Sequence, residues 1–193
     1  MKLLLKGFVY SIFLVLAFPL ALLSVFGRIE PIFVMGAQCC SLIPGLPGDY
    51  LRIAYYRLTL EECSLDSRIQ FGSFFAHPQA KVGRNVYIGS YCILGRTRIG
   101  DRTQIASSVQ ILSGGRQHPR GPDGRILGAE HGTFETVAIG SDCWIGAAVI
   151  VMAEVGKGST IGAGSVVVQP IPAGSVAVGS PARVIRTTSE GAA

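Results

Sequence analysis

Charge is scarce in this 193-residue chain. Asp, Glu, Lys and Arg make up 15% of it, against 49% hydrophobic residues and a mean hydropathy of +0.45. Both figures depart from those of an ordinary soluble domain. The shortage is concentrated at one end, where Lys2, Lys6, Arg28 and Glu30 are the only charged residues before Asp49. The five cysteines (Cys39, Cys40, Cys63, Cys92, Cys143) form no CxxC pair and no disulfide-like framework. Odd in number and set among apolar neighbours, they read as reduced small hydrophobes of a cytosolic compartment. No basic run is interleaved with aromatics, which excludes a nucleic-acid reader. The net charge of +5 suits an anionic surface or a phosphate-rich ligand instead.

The length fits one domain with an appendage. From Gly7 to Phe26 no charge interrupts the chain, and about 20 such positions suffice to cross a bilayer as a helix. A signal peptide is the rival reading, but the run is long and no A-x-A cleavage site follows. A second apolar stretch, Pro31–Pro47, is broken by Gly and Pro and suits a re-entrant or interfacial element. Residues 1–47 are therefore expected to form a hydrophobic membrane hairpin or anchor in contact with membrane lipid. Residues 48–64 (GDYLRIAYYRLTLEEC) put Leu51, Ala54, Tyr55 and Leu58 on one helical face, with Arg52 and Arg57 nearby. That pattern suits an amphipathic helix, either interfacial at headgroup level or capping the next domain.

From Leu65 onward the glycines recur at regular spacing. The blocks run LDSRIQ, FGSFFA, VGRNVY, IGSYCI, LGRTR, IGDRTQ, IASSVQ and, after a break, IGSDCW, IGAAVI, VGKGST, IGAGSV. A period of six fits a coil with three flat faces, each face one block long. The leading aliphatic points inward, and the small second residue eases the corner. Amphipathic helices repeat at three and four, and sandwiches place turns every eight to twelve residues, so neither fits. The predicted fold class is all-β, a left-handed parallel β-helix of about five coils over residues 65–186, a known exception to right-handed crossovers. Residues 187–193 are expected to be a flexible tail.

The repeat breaks between Ile111 and Ile139, giving a predicted catalytic loop at 112–137 that holds two of the three histidines, His118 and His131. The third, His77, falls in the first coil. An alcohol is a weak nucleophile at neutral pH and needs a base, and a histidine titrates near that pH.

The stretch Ile111–Pro119 (ILSGGRQHP) resembles the His-Pro loop of the maltose, galactoside and nodulation-factor O-acetyltransferases. Three segments, CWIGAAVIV (143–151), IGAGSVVVQPIP (161–172) and AVGSPARVIR (177–186), are similar to the C-terminal signature of those hexapeptide-repeat acyltransferases. The resemblance spans the whole repeat and implies a homotrimer with active sites between subunits, where His118 is the catalytic base. It implies acetyl-CoA as cosubstrate, with no metal. The pantetheine arm would pass Trp144, Ala147, Ala163, Gly164, Val168 and Gln169, and Arg183 and Arg186 would meet the nucleotide phosphates. Two departures stand out. Val168–Gln169 replaces a frequent Thr-Lys pair, and the family's substrate-orienting Asn has no match, with Ser90 or Tyr91 near its place. These two and His131 are candidate acceptor contacts.

The implied reaction is acyl transfer to a sugar hydroxyl of a cell-surface polysaccharide or lipid-linked glycan precursor. Since coenzyme A is cytoplasmic, the chain is expected at the cytoplasmic membrane with its catalytic domain facing the cytoplasm. Antibiotic acetyltransferases of the streptogramin or chloramphenicol type and sugar-nucleotide N-acetyltransferases are alternatives. More remote are a γ-class carbonic anhydrase, whose zinc needs a close histidine pair absent here, and a non-catalytic membrane scaffold.

Overall fold

The computed structural model describes residues 2–187, so the expected tail lies, beyond Thr187, outside the described residues. Three helices, α1 (Lys2–Leu23), α2 (Glu30–Ser41) and α3 (Gly45–Thr59), precede a stack of short parallel strands. The strands lie on three faces. The first face holds Glu62–Cys63, Lys81–Val82, Thr97–Ile99 and Val137–Ile139, continued by single bridges at Val155 and Ile171. The second holds Arg68–Ile69, Tyr87–Ile88, Gln104–Ile105, Trp144–Ile145, Thr160–Ile161 and Ser175–Gly179, and is closed by the antiparallel strand Ala182–Thr187. The third holds Phe74–Phe75, Ile93–Leu94, Gln110–Ile111, Ile150–Val151 and Val166–Val167. Six parallel rungs on the second face make about six coils, one more than the block count, because the stack starts before Leu65 and Ser175–Gly179 forms a rung of its own.

The leading aliphatics point inward as their pattern demands. Val82, Ile88, Leu94, Ile99, Ile105, Ile139, Ile145, Val155, Ile161 and Val167 are all buried. The second residue of the block acts differently from its expected role at the corner. Gly89 and Gly146 turn nothing; a Cβ on either would lie 2.6 Å from the backbone of the next coil. Their smallness serves coil-to-coil approach at the ~4.8 Å rung spacing. The corner itself is turned two residues later in the left-handed region, at Asn85, Tyr91, Arg102, Asp142 and Ala148, with φ from 55° to 61°. Buried hydroxyls tie the coils together. Ser67, Ser73 and Thr103 donate to the carbonyls of Gly83, Gly89 and Gly140 at 2.6–2.7 Å. Each also accepts a backbone N–H, from Val86, Cys92 and Cys143 respectively.

The N-terminal expectation fails. Among the described residues no helix is long and apolar enough to cross a membrane. This overturns the hairpin or anchor as a spanning element and, with it, a location at the cytoplasmic membrane. The apolar side chains are used for packing. On α1, Ala17 and Ala21 are buried, and Tyr10 and Phe13 lie against Tyr50 of α3, with ring centroids 5.1 and 5.4 Å apart. With 12 residues, α2 reaches only about 18 Å, against ~30 Å of bilayer hydrocarbon. Arg52, Tyr55 and Tyr56 of α3 are buried and turn toward the rest of the fold. Tyr55 donates its hydroxyl proton to the Phe33 carbonyl at 2.8 Å, and the Tyr56 hydroxyl accepts the Phe75 N–H at 3.2 Å.

Arg52 is fully buried and joins cap to coil. Its guanidinium donates to the carbonyls of Cys40 (3.1 Å) and Ile43 (2.8 Å), to Ile69 of the first coil (2.8 Å) and to Asp49 (2.7 Å). It thereby satisfies a carbonyl at the C-terminal end of α2 that has no partner within the helix. Arg52→Ala would leave Asp49 to Arg68 and Gln70 and withdraw the donor to the carbonyls of Cys40, Ser41, Ile43 and Ile69. It is expected to lower stability by about 2–4 kcal/mol in urea unfolding followed by circular dichroism. A change below ~1 kcal/mol would refute that role.

Candidate active site

The break in the repeat opens at the corner between the third and first faces. Ile111 ends one rung and Val137 begins the next, in unbroken register with Thr97. The inserted segment therefore leaves the stack undisturbed. It folds back on itself as an irregular hairpin. Glu135 N–H donates to Ser113 O (2.9 Å), Thr133 N–H to Arg116 O (2.9 Å) and Leu127 N–H to Pro119 O (2.8 Å). Arg116 and Glu135 form an ion pair across the base.

His118 stands exposed on the outgoing limb. Its Nδ1 lies 3.3 Å from the Leu127 carbonyl. A proton on Nδ1 donates there, which leaves the Nε2 lone pair free to accept a proton. The ring lines a shallow cavity of about 250 Å³ with Leu112, Gly114, Gly115, Gln117 and Met152. Sequence reading passed over Met152. It was legible only through register, because Val151 pairs with Ile111 and puts Met152 beside Leu112.

The other candidate residues gather elsewhere. Ala147 and Ala163–Gly164 occupy stacked corners between the second and third faces, with Gly164 N–H donating to the Ala147 carbonyl at 2.8 Å. Ser90 and Tyr91 lie on the same corner column, two coils earlier. Trp144, 51% exposed, projects from the second face beside it. Arg183 and Arg186 are exposed on the closing strand, opposite Val178 and Val176. Val168 and Gln169, also exposed, belong instead to the third–first corner with His118. His131 sits in a short turn (Ala129–His131), exposed, with Nε2 3.7 Å from Glu130. In a single chain, the corner bearing His118 and the corner bearing the alanines are separated by the width of the third face. Four extended residues make that roughly 13 Å.

No thiol competes with His118 for a chemical role. Burial pushes the Cys40 and Cys63 thiols up to about 12, and raises Cys92 and Cys143 for the same reason. Cys39 is exposed, but lies on α2. Among the described residues no three His, Cys, Asp or Glu side chains come together in a way that could hold a metal ion.

No family model matches the chain. Over 116 residues it is 34% identical to the serine acetyltransferase of Escherichia coli K12, a match covering 56% of this chain and 37% of that enzyme. The chain thus spans well under two thirds of this relative. Among solved structures it superposes on a maltose O-acetyltransferase from Clostridium difficile with a TM-score of 0.67 and 27% identity, covering 81% of this chain and 88% of that one. A galactoside acetyltransferase in complex with coenzyme A gives a TM-score of 0.65 and 25% identity, covering 82% of each. The six-residue period, the stacked parallel coils and these relatives together make the chain similar to the hexapeptide-repeat acetyltransferases.

Proposed function

We propose that the chain transfers an acetyl group directly from acetyl-CoA to a hydroxyl of a sugar, in a precursor of a surface glycan. The observation that carries this reading is His118, held by the Leu127 carbonyl at the rim of a cavity with Nε2 left free. The base takes the hydroxyl proton as the acceptor oxygen attacks the thioester carbonyl. The tetrahedral intermediate then collapses, the C–S bond breaks, and the same imidazolium returns the proton to the departing thiolate. A covalent route through cysteine is disfavoured by the raised thiols.

A homotrimer supplies the missing juxtaposition. Phe74, Ile93, Gln110, Ile150 and Val166 form one outward column on the third face, apolar at four of its five positions, with Ile93 43% exposed. Three such faces packed around an axis would bring the His118 corner of one copy to the Ala147 corner of the next. Coenzyme A would lie along that seam. Small residues at Ala147, Ala163 and Gly164 let its pantetheine reach the backbone, Trp144 flanks it, and Arg183 and Arg186 face its phosphates. Val168 and Gln169 carry no positive charge to assist. Ser90, Tyr91 and His131 are proposed acceptor contacts. The similarity to a maltose and a galactoside acetyltransferase supports a sugar acceptor, and the similarity to a serine acetyltransferase puts serine in the same test.

Transfer from acetyl-CoA is to be measured against sugars, serine, sugar-nucleotide amines and the two antibiotic classes. His118→Ala should lower turnover by about 10²–10⁴-fold with coenzyme binding intact; full turnover in that variant would remove His118 as the base. Trp144 is the sole tryptophan, so coenzyme A should shift its fluorescence in wild type, and an unchanged spectrum at saturating coenzyme counts against the seam. Iodoacetamide at pH 8 should label Cys39 alone in the native protein. Labelling of Cys143 before unfolding would reopen the covalent route.

A further inference from the structure

We infer that Phe134 is a positioning residue for His118, and that the helical cap takes part through Glu30 and His77. This rests on the reading of His118 as the base and deepens it. Phe134 lies on the returning limb of the hairpin, half-buried between two coils. On one side the Arg96 guanidinium sits 5.2 Å from its ring centroid. Among the described residues the buried Arg96 Nε has no hydrogen-bond partner, and the face of the ring lies against this cation. On the other side the His77 ring meets Phe134 edge-on, with centroids 5.1 Å apart and planes at 66°. His77 is in turn hydrogen-bonded through Nδ1 to Glu30, the first residue of α2.

From Phe134 the contact passes to the base within two residues. Gly132 packs so tightly on the outgoing limb that a Cβ there would lie 1.9 Å from the Gln117 carbonyl oxygen. Its neighbour Thr133 donates to Arg116. Gln117 precedes His118. A continuous line of packed groups therefore runs from Glu30 through His77, Phe134 and Gly132 to the peptide bearing the catalytic ring. His118 itself has one long hydrogen bond to hold it, at 3.3 Å, so the pitch of the hairpin sets where its Nε2 lies. The arrangement also gives a role to His77, the histidine of the first coil.

The test compares Phe134→Ala, Phe134→Leu and Phe134→Tyr in the full chain, with Glu30→Gln beside them. A displacement of about 1 Å at a reacting group can cost about 10²-fold in rate. Phe134→Ala and Phe134→Leu are accordingly expected to lower kcat by roughly 10–100-fold while KM for acetyl-CoA moves less than about threefold. Phe134→Tyr, which keeps the ring face for Arg96, should restore most of the rate, and Glu30→Gln should give a smaller loss of the same kind. Trypsin provides a readout free of acceptor and chemistry. Arg116, Arg120 and Arg125 lie in the hairpin, and cleavage there should quicken in Phe134→Ala without a fall in melting temperature. Wild-type kcat in Phe134→Ala overturns the proposal, as does equal loss in Phe134→Tyr and Phe134→Ala. Should His118→Ala keep full turnover, the base assignment fails on its own; tryptic cleavage then decides the rest, unchanged rates in Phe134→Ala overturning the hold on the hairpin.

Discussion

Every feature of this molecule depends on how closely one coil lies on the next. Parallel rungs share backbone hydrogen bonds at a spacing of ~4.8 Å, and that spacing admits no side chain between corners. Gly89 and Gly146 meet the condition by having none. Ser67, Ser73 and Thr103 meet it differently, filling the corner with a hydroxyl that serves both a carbonyl and an N–H of the next coil. A buried group that satisfies two backbone partners costs little desolvation and holds the register in the same stroke.

Such a stack leaves few places for chemistry. Strands of two residues alternate one side chain in and one out, so the faces offer flat columns and the corners carry everything that protrudes. The hairpin with His118 leaves from a corner for this reason, since an insertion there breaks no rung. The coenzyme-facing candidates, Ala147, Ala163 and Gly164, lie on a different corner, where smallness exposes backbone groups instead of side chains. The two corners border the same apolar face. Their separation within a chain follows from the triangular cross-section, and the proposed trimer would make them adjacent between copies.

The helical cap solves the problem of the open end. A first coil with no neighbour below would leave its inward aliphatics and backbone groups wet. Here α2 and α3 cover it with Phe33, Tyr55 and Tyr56, and Arg52 reaches from α3 into both the end of α2 and the first rung. A buried guanidinium with its charge paired to Asp49 specifies geometry more than it adds stability. The cap and the hairpin then meet through Glu30, His77 and Phe134, so the end cover also borders the hairpin that bears His118.

The repeat was legible from residue order alone, because a period of six with an aliphatic leader is a local pattern and each block obeys it independently of its neighbours. The break in that pattern marked the loop that holds His118 and His131, and the resemblance of Ile111–Pro119 to the His-Pro loop singled out His118. The N-terminal region misled, since an apolar run looks alike whether its partner is lipid or another helix, and only the packing of α1 on Tyr50 and the short reach of α2 distinguish them. Arg52 and His77 were equally opaque. Their partners stand 17 residues from Arg52 at Ile69 and 47 from His77 at Glu30, and no window of sequence brings such groups together. Residue order determined the coil and the point at which it opens. Tertiary structure alone decided which apolar and charged groups became its lid, because burial and pairing are settled by neighbours in space.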